Sequence, residues 1–327
     1  MRIINKIKLT KTQNKMNLIK RSAIALCALA MVFTACSDDD NDDKNTLGDK
    51  EGILLVTFGS SFPDPQETFK NIDNAAKKRF AGETIKWGYT SDIIINKLRQ
   101  GNGEGSLKGQ IIDNDTPQEA LEIMVKDGFS KFEVQSLHVI PGEEFDELKE
   151  AIHAFKEKYE GVSVKIGRPL LDSDADIKAV ADILAVKFSE ELKDGPVLLM
   201  GHGTPHAADA QYLKLQSELQ KLNPNFFVGT VEGIGFDAGT TSIGGILAEL
   251  DKLSPKATKV TITPLMSIAG DHANNDMNGN TGESELSEQS WKERLEGKGY
   301  TVNTVMKGLG DYNEINKIWM DHLEDAE

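Results

Sequence analysis

LVTFGSSFPDP, residues 55–65, and LMGHGTPHAAD, residues 199–209, decide the reading of the fold. Each is a short apolar run, then a glycine-containing turn, then a segment able to begin a helix. In this register Phe58 falls opposite His202. A second pair follows in the same order: SLHVIPGEEF, residues 136–145, matches PLMSIAGDHA, residues 264–273, and sets Glu144 opposite His272. Two related α/β halves are therefore expected, 52–168 and 195–327, joined by a connecting helix within 169–194.

Around these anchors the chain alternates between two periodicities. Runs rich in Val, Ile, Leu and Phe predict strands at Ile53–Phe58, Thr84–Tyr89, Lys131–Val139, Val162–Ile166, Val197–Met200, Phe226–Val231, Lys259–Pro264 and Tyr300–Val305. Helices are expected between them at Gln66–Phe80, Pro117–Lys126, Glu143–Tyr159, Asp174–Leu192, Ala207–Leu222, Ser242–Leu253, Ser287–Leu295 and Glu314–His322. Thr116-Pro117 with Glu119, and Ser173 with Asp176, supply start signals. Regular βα alternation predicts an α/β fold in which each half is a mainly parallel sheet flanked by helices. The facing strand ends would form a cleft, and open α/β sheets bind ligands at the C-terminal ends of their strands.

The first fifty residues differ in kind. Residues 1–21 hold Arg2, Lys6, Lys8, Lys11, Lys15, Lys20 and Arg21 and no acid, and SAIALCALAMVFT, residues 22–34, is mostly apolar. A basic region, a short apolar region and small residues before Cys36 describe a secretory signal over residues 1–35. Thirteen residues are short for a membrane span, which needs about 20. Phe33-Thr34-Ala35-Cys36 resembles a bacterial lipobox, so Cys36 is the expected lipidation site. SDDDNDDKNTLGDKE follows, and residues 36–51 read as an acidic, disordered tether. The expected product is exported and lipid-anchored to the outer membrane, on its periplasmic side or at the cell surface, with an outer-membrane transporter as a possible partner.

Loss of the signal removes seven of 37 basic residues and none of 52 acidic ones, leaving a net charge of −22. Such a surface repels phosphate backbones and argues against nucleic-acid binding. Cys27 leaves with the signal, so neither a disulfide nor a thiolate metal site is available beyond Cys36.

The six histidines are unevenly placed. His202 in MGHGTPH and His272 in IAGDHAN both follow apolar strands, and Glu232 in GTVEG ends the strand between them in sequence. Two imidazoles and a carboxylate suit cobalt, iron, nickel or zinc. Either histidine alone reads better as a solvated or hydrogen-bonded loop residue; the pair at equivalent strand ends favours a metal. Glu143-Glu144 offers a proton acceptor in the first half, although acids at a helix N-terminus explain the pair equally well. His206 reads as a support residue or a first-turn residue, His138 as a core histidine, and His153 and His322 as ordinary helical positions.

Residues 52–327 resemble the CbiK-type anaerobic cobalt chelatases, the class II sirohydrochlorin chelatases. The segments that carry the likeness are LLVTFGSSFPD, VQSLHVIPGEEFDEL, MGHGTPHAADAQY, GTVEG, PLMSIAGDHANNDM, SWKERLEGKGY and GLGDYNEI. The resemblance implies two similar halves around a tetrapyrrole cleft. It assigns metal and catalytic roles to His202 and His272, a metal-binding role to Glu232 and a further catalytic acid near Glu144. It implies insertion of a divalent metal into sirohydrochlorin, with Co²⁺ first and Fe²⁺, Ni²⁺ or Zn²⁺ as alternatives, and the metal as a substrate. Apolar walls for the ring are expected from Phe58, Phe62, Leu137, Val139 and Met266. The chain departs from simple cytoplasmic members in its signal and in the polar stretch GNTGESELSEQ, residues 279–289. Export leaves a second reading open, a surface lipoprotein that binds haem or a related tetrapyrrole for haem or iron acquisition, or removes its iron. A plain metal-scavenging lipoprotein is the third.

Overall fold

The structure is a computed structural model that describes residues 48–327. The signal segment, Cys36 and most of the acidic tether lie outside the described residues. Within those residues, no helix is long and apolar enough to cross a membrane.

Eight strands form two four-stranded parallel sheets. The first contains β1 (Lys50–Thr57), β2 (Thr84–Tyr89), β3 (Phe129–Ser136) and β4 (Ser163–Gly167) in the order β2-β1-β3-β4. The second contains β5 (Val197–Gly201), β6 (Phe226–Thr230), β7 (Lys259–Pro264) and β8 (Thr301–Thr304) in the order β6-β5-β7-β8. The orders match strand for strand, as the internal repeat requires. The central strands β1 and β5 are buried on both faces, which is why they read as unbroken apolar runs rather than alternating ones.

The repeat extends to the turns. Gly59 and Gly203 hold equivalent positions after β1 and β5, and both have a left-handed φ, +92° and +86°. A Cβ at Gly59 would strike the Tyr89 ring, and one at Gly203 would strike the Glu232 carbonyl. Both turns need glycine for the same two reasons, conformation and close approach.

Helices α1 (Pro65–Arg79), α2 (Asp92–Arg99), α3 (Pro117–Lys126) and α4 (Glu143–Lys158) accompany the first sheet. The capping box predicted at Thr116–Glu119 forms, with the Thr116 hydroxyl accepting from Glu119 N and the Glu119 carboxylate accepting from Thr116 N. Helix α2 was not foreseen, because DIIINKLR is only eight residues and its isoleucine run resembles a strand. The segment predicted as one helix over 174–192 is two, α5 (Asp174–Lys187) and α6 (Glu191–Asp194). Then come α7 (Ala210–Leu222), α8 (Ile234–Asp237), α9 (Ile243–Leu250), α10 (Trp291–Gly297) and α11 (Asn313–Glu324).

The last helix crosses over. Sequence order groups α11 with the second half, yet it packs against α1, β3 and β4 of the first sheet. Its apolar side, Ile315, Trp319, Met320 and Leu323, is buried, and Ile166 N donates to Glu327 O at 2.9 Å. His322, expected to be ordinary, is buried between Arg168 O and Asp176, each at 3.1 Å from a ring nitrogen. Helix α5 in turn packs on α7 of the second half. One apolar core therefore runs through both halves, from Leu55 and Ile72 through Leu170 and Val180 to Leu199, Leu215 and Trp319. The two sheets are held together by that core, with their C-terminal strand ends turned toward each other.

Candidate functional site

Four loops meet where the strand ends face. The turn after β1 meets the loop after β7: Ser61 Oγ donates to Asp271 Oδ1 at 2.8 Å, and Ser61 N and Ser60 Oγ donate to Oδ2 at 3.3 and 3.4 Å. By the same symmetry the turn after β5 meets the loop after β3. Thr204, equivalent to Ser60, lies against Gly142, equivalent to Gly270, and His206 Nε2 stands 3.5 Å from Asp146 Oδ2. His206 also caps the turn that follows it, with Nδ1 accepting from Ala208 N at 3.1 Å.

His202 sits at the centre. Its backbone carbonyl accepts from Val231 N and Glu232 N, both at 3.1 Å, which ties the end of β5 to the end of β6. Its ring nitrogen Nδ1 lies 2.9 Å from Gly203 O and 3.7 Å from Glu232 Oε1. A carbonyl only accepts, so Nδ1 carries the proton and Nε2 keeps its lone pair. His272 begins a wide turn in which Asn278 N donates back to Ala273 O. Its Nδ1 lies 2.7 Å from Asp276 Oδ2, which fixes the same tautomer and again leaves Nε2 free. The two imidazoles stand edge to face, with centroids 4.6 Å apart.

The electrostatics of His272 oppose one another. Burial pushes its imidazole down, but the Asp276 hydrogen bond and the charges of Asp276, Glu232 and Asp271 outweigh burial, and the ring is held above the ordinary range. His202, Glu232 and His272 are thus neighbours with two free imidazole nitrogens. They are not closed on a point: among the described residues, no three His, Cys, Asp or Glu side chains form a ready metal-holding group. Glu144 lies in the first turn of α4, half-exposed, with Oε2 3.4 Å from His138 Nε2.

Of the expected ring-lining residues, Phe58 lies against His202 at 6.4 Å between centroids and is half-buried. Phe62 and Met266 are also half-buried, with Lys97 Nζ 6.0 Å from the Phe62 ring centroid. Leu137 is a correction. It is fully buried in the shared core, and Val139 packs in the same cluster at 8% exposure, so neither presents an apolar wall to the cleft. Both followed β3 in a run predicted as strand to Val139, whereas β3 ends at Ser136.

Other residues brought here were not singled out in the sequence. Asp209 is buried and accepts from Thr204 N at 2.9 Å and Gly235 N at 2.8 Å, pinning the turn that carries His202. Lys97 on α2 donates to Ser61 Oγ at 2.9 Å and Glu104 Oε1 at 2.7 Å and lies 3.8 Å from Asp271. Spacing from a candidate histidine was the available signal for Asp276, at i+4 from His272; nothing local marked Lys97, which is distant in sequence.

Comparison with known proteins bears on this arrangement. Residues 51–327 match the family model described as cobalt chelatase, CbiK. The chain is 32% identical over 278 residues to the sirohydrochlorin cobaltochelatase CbiKC of Nitratidesulfovibrio vulgaris, covering 85% of this chain and 90% of that protein. It is 31% identical over 281 residues to the sirohydrochlorin cobaltochelatase of Salmonella typhimurium, covering 85% and 96%. The fold is shared with SirB from Bacillus subtilis, solved with Fe3+, at a TM-score of 0.50, 14% identity and coverage of 84% and 95%. With two matching sheets, strand-end loops that meet and a family match across the described fold, the chain belongs to the CbiK cobalt chelatase family.

Proposed function

We propose that this protein inserts a divalent metal, Co²⁺ first, into sirohydrochlorin. The observation that carries the reading is the pairing of His202 with His272 at the centre of the cleft. Each commits Nδ1 to a protein acceptor and keeps Nε2 for a metal. The relatives named sirohydrochlorin cobaltochelatases support the choice of ring and metal.

Insertion exchanges one M²⁺ for two pyrrole N–H protons, so the site must present a metal on one side of the ring and accept protons from it. His202, His272 and Glu232 serve the first need as ligands to a metal that enters and leaves as a substrate. Their two imidazoles and one carboxylate also suit Fe²⁺, Ni²⁺ and Zn²⁺. Glu144, on the opposite wall, serves the second need as a proton acceptor. Phe58, Phe62 and Met266 offer apolar contact to the flat ring. The test is an absorbance titration of the purified protein with sirohydrochlorin, with and without Co²⁺. Insertion appears as a metal-dependent change in the ring spectrum, and a spectrum unaltered by protein beyond the spontaneous rate rejects the reading.

The basic and apolar N-terminus ending at Cys36 favours a second setting, in which the same cleft meets a ring outside the cytoplasm. We place the protein on a membrane through lipid at Cys36, since a cysteine that carries more than one acyl chain holds an acidic domain to a bilayer without a span. In that setting the ring is haem or a relative, and a histidine nitrogen meets its iron. A haem affinity no better than that of an unrelated acidic lipoprotein removes this reading. Correct processing and unchanged membrane retention of Cys36→Ala removes the anchor.

A further inference from the structure

We infer that His138 is a positioning residue for Glu144: it holds the carboxylate on the cleft wall by donating from Nε2. The inference rests on the metal-insertion reading and deepens it, because it concerns how the proton-accepting wall is built.

His138 looks like a core histidine in the sequence, and it is 7% exposed. Its surroundings bear on its tautomer. The Ser136 hydroxyl lies 2.8 Å from His138 Nδ1, and the same oxygen accepts from His138 N at 3.4 Å. That oxygen has one hydrogen and two lone pairs, and we assign its hydrogen to Nδ1, which gives the hydroxyl one donor and one acceptor role. The imidazole proton is then on Nε2. That Nε2 is buried and makes no hydrogen bond among the described residues. It faces Glu144 Oε2 at 3.4 Å, slightly beyond a good contact. A buried donor without a partner is costly and rare, so its one charged neighbour is informative. A small rotation of the half-exposed glutamate completes the bond.

The two halves resemble each other in kind at this point, although His138 aligns with Met266 and Asp276 with Leu148. Glu144 occupies the position equivalent to His272. In the second half an imidazole, His272, is held by a carboxylate, Asp276, at 2.7 Å. In the first half a carboxylate, Glu144, is held by an imidazole. Each wall thus pairs an acid with a histidine, and the member nearer the cleft is exchanged. Burial pushes the His138 imidazole down, against the opposing effect of Glu144, which keeps it a neutral donor. The metal-facing wall gains a basic nitrogen, and the opposite wall gains an oriented carboxylate.

The full chain is tested with two substitutions. His138→Leu fills the buried site with an apolar side chain and removes the donor; His138→Gln returns an N–H donor at a similar reach. The expected result is a kcat for Co²⁺ insertion lowered on the order of tenfold in His138→Leu, with KM for Co²⁺ within about twofold, and partial recovery in His138→Gln, as for other outer-shell partners. Unfolding temperature is followed alongside, and equal stability of the two variants separates positioning from packing. Nitrogen NMR of His138 gives a readout that needs no turnover: an Nε2–H tautomer whose proton signal moves in Glu144→Gln. Turnover of a folded His138→Leu equal to wild type, or an Nδ1–H tautomer, overturns the inference while leaving metal insertion intact. Absence of insertion by the wild type instead overturns the proposed function on which it rests.

Discussion

Phe58 and His202 occupy equivalent positions in the two halves and face each other with ring centroids 6.4 Å apart and planes inclined at 42°. One duplicated turn thus supplies an apolar ring on one side and an imidazole on the other. If Phe58 serves the macrocycle, Phe58→Ala weakens sirohydrochlorin binding by about 0.5–1.5 kcal/mol, the usual worth of an aromatic contact beyond area burial. Co²⁺ affinity measured without the ring stays the same. Equal losses of both would mean that Phe58 merely supports His202.

The proposed role of the histidine pair is tested separately from the ring. His202→Ala and His272→Ala each remove a free Nε2, and each is expected to lower Co²⁺ affinity at least about tenfold, since imidazole is a strong borderline donor. Glu232→Gln keeps an oxygen but loses its charge, so its effect is smaller. All three side chains are partly exposed, which predicts little change in unfolding temperature. Calorimetric titration with Co²⁺ decides the matter; a metal-soaked structure with the ion away from all three would sink the assignment.

What could be read from the sequence followed burial and repetition. The inner strands were legible because a strand buried on both faces becomes a short apolar run, as in β5, VLLMG; β2, TIKWGY, and β8, TVNT, are partly exposed and showed instead through β-branched and aromatic residues between helical segments. His202 and His272 drew notice because the repeat set them at corresponding turns, and Glu232 because it ends the strand between them in sequence; the structure makes the three side chains neighbours. Helix α2 was not, since its apolar residues Ile94, Ile95 and Leu98 sit within a run too short to show a helical period. The docking of α11 on the first sheet was not legible either. Its amphipathic pattern requires a partner surface without naming which one. Leu137 was misplaced for a similar reason: an apolar residue near a strand end fits a core as well as a cleft, and burial alone distinguishes them.

Lys97 and Asp271 make the contact that joins α2 to the loop of His272. Asp271 takes three hydrogen bonds from Ser60 and Ser61, and Lys97 braces the same serine. Asp271→Ala removes the shared acceptor and leaves Ser61, a buried residue, short of a partner. The expected loss of stability is about 1–3 kcal/mol, the range for hydrogen bonds to charged groups and for stranded buried donors. Lys97→Ala, which leaves the serine–aspartate bonds in place, costs less. Urea unfolding of both variants measures the difference, and a Lys97→Ala loss greater than that of Asp271→Ala would contradict the order.

His272 gives the protein a pH dependence of defined sign. Burial lowers its imidazole pKa, but Asp276, Glu232 and Asp271 together raise it past the ordinary value of about 6.5. A metal ligates only the neutral ring, so protons compete with Co²⁺ from a higher pH than they would at a free imidazole. Affinity is therefore full on the alkaline side and declines as pH falls through the raised pKa. Asp276→Asn removes the largest of the opposing charges while keeping an oxygen near Nδ1. Its acid limb should move to lower pH, because the protonated ring loses its stabilising partner. The alkaline plateau should fall somewhat as well, since the carboxylate no longer strengthens the imidazole as a donor. Co²⁺ titrations of wild type and Asp276→Asn across the range where histidine titrates separate the two effects. A limb at the same pH in both proteins would show that Asp276 does not control the protonation of His272, even if the plateau changes.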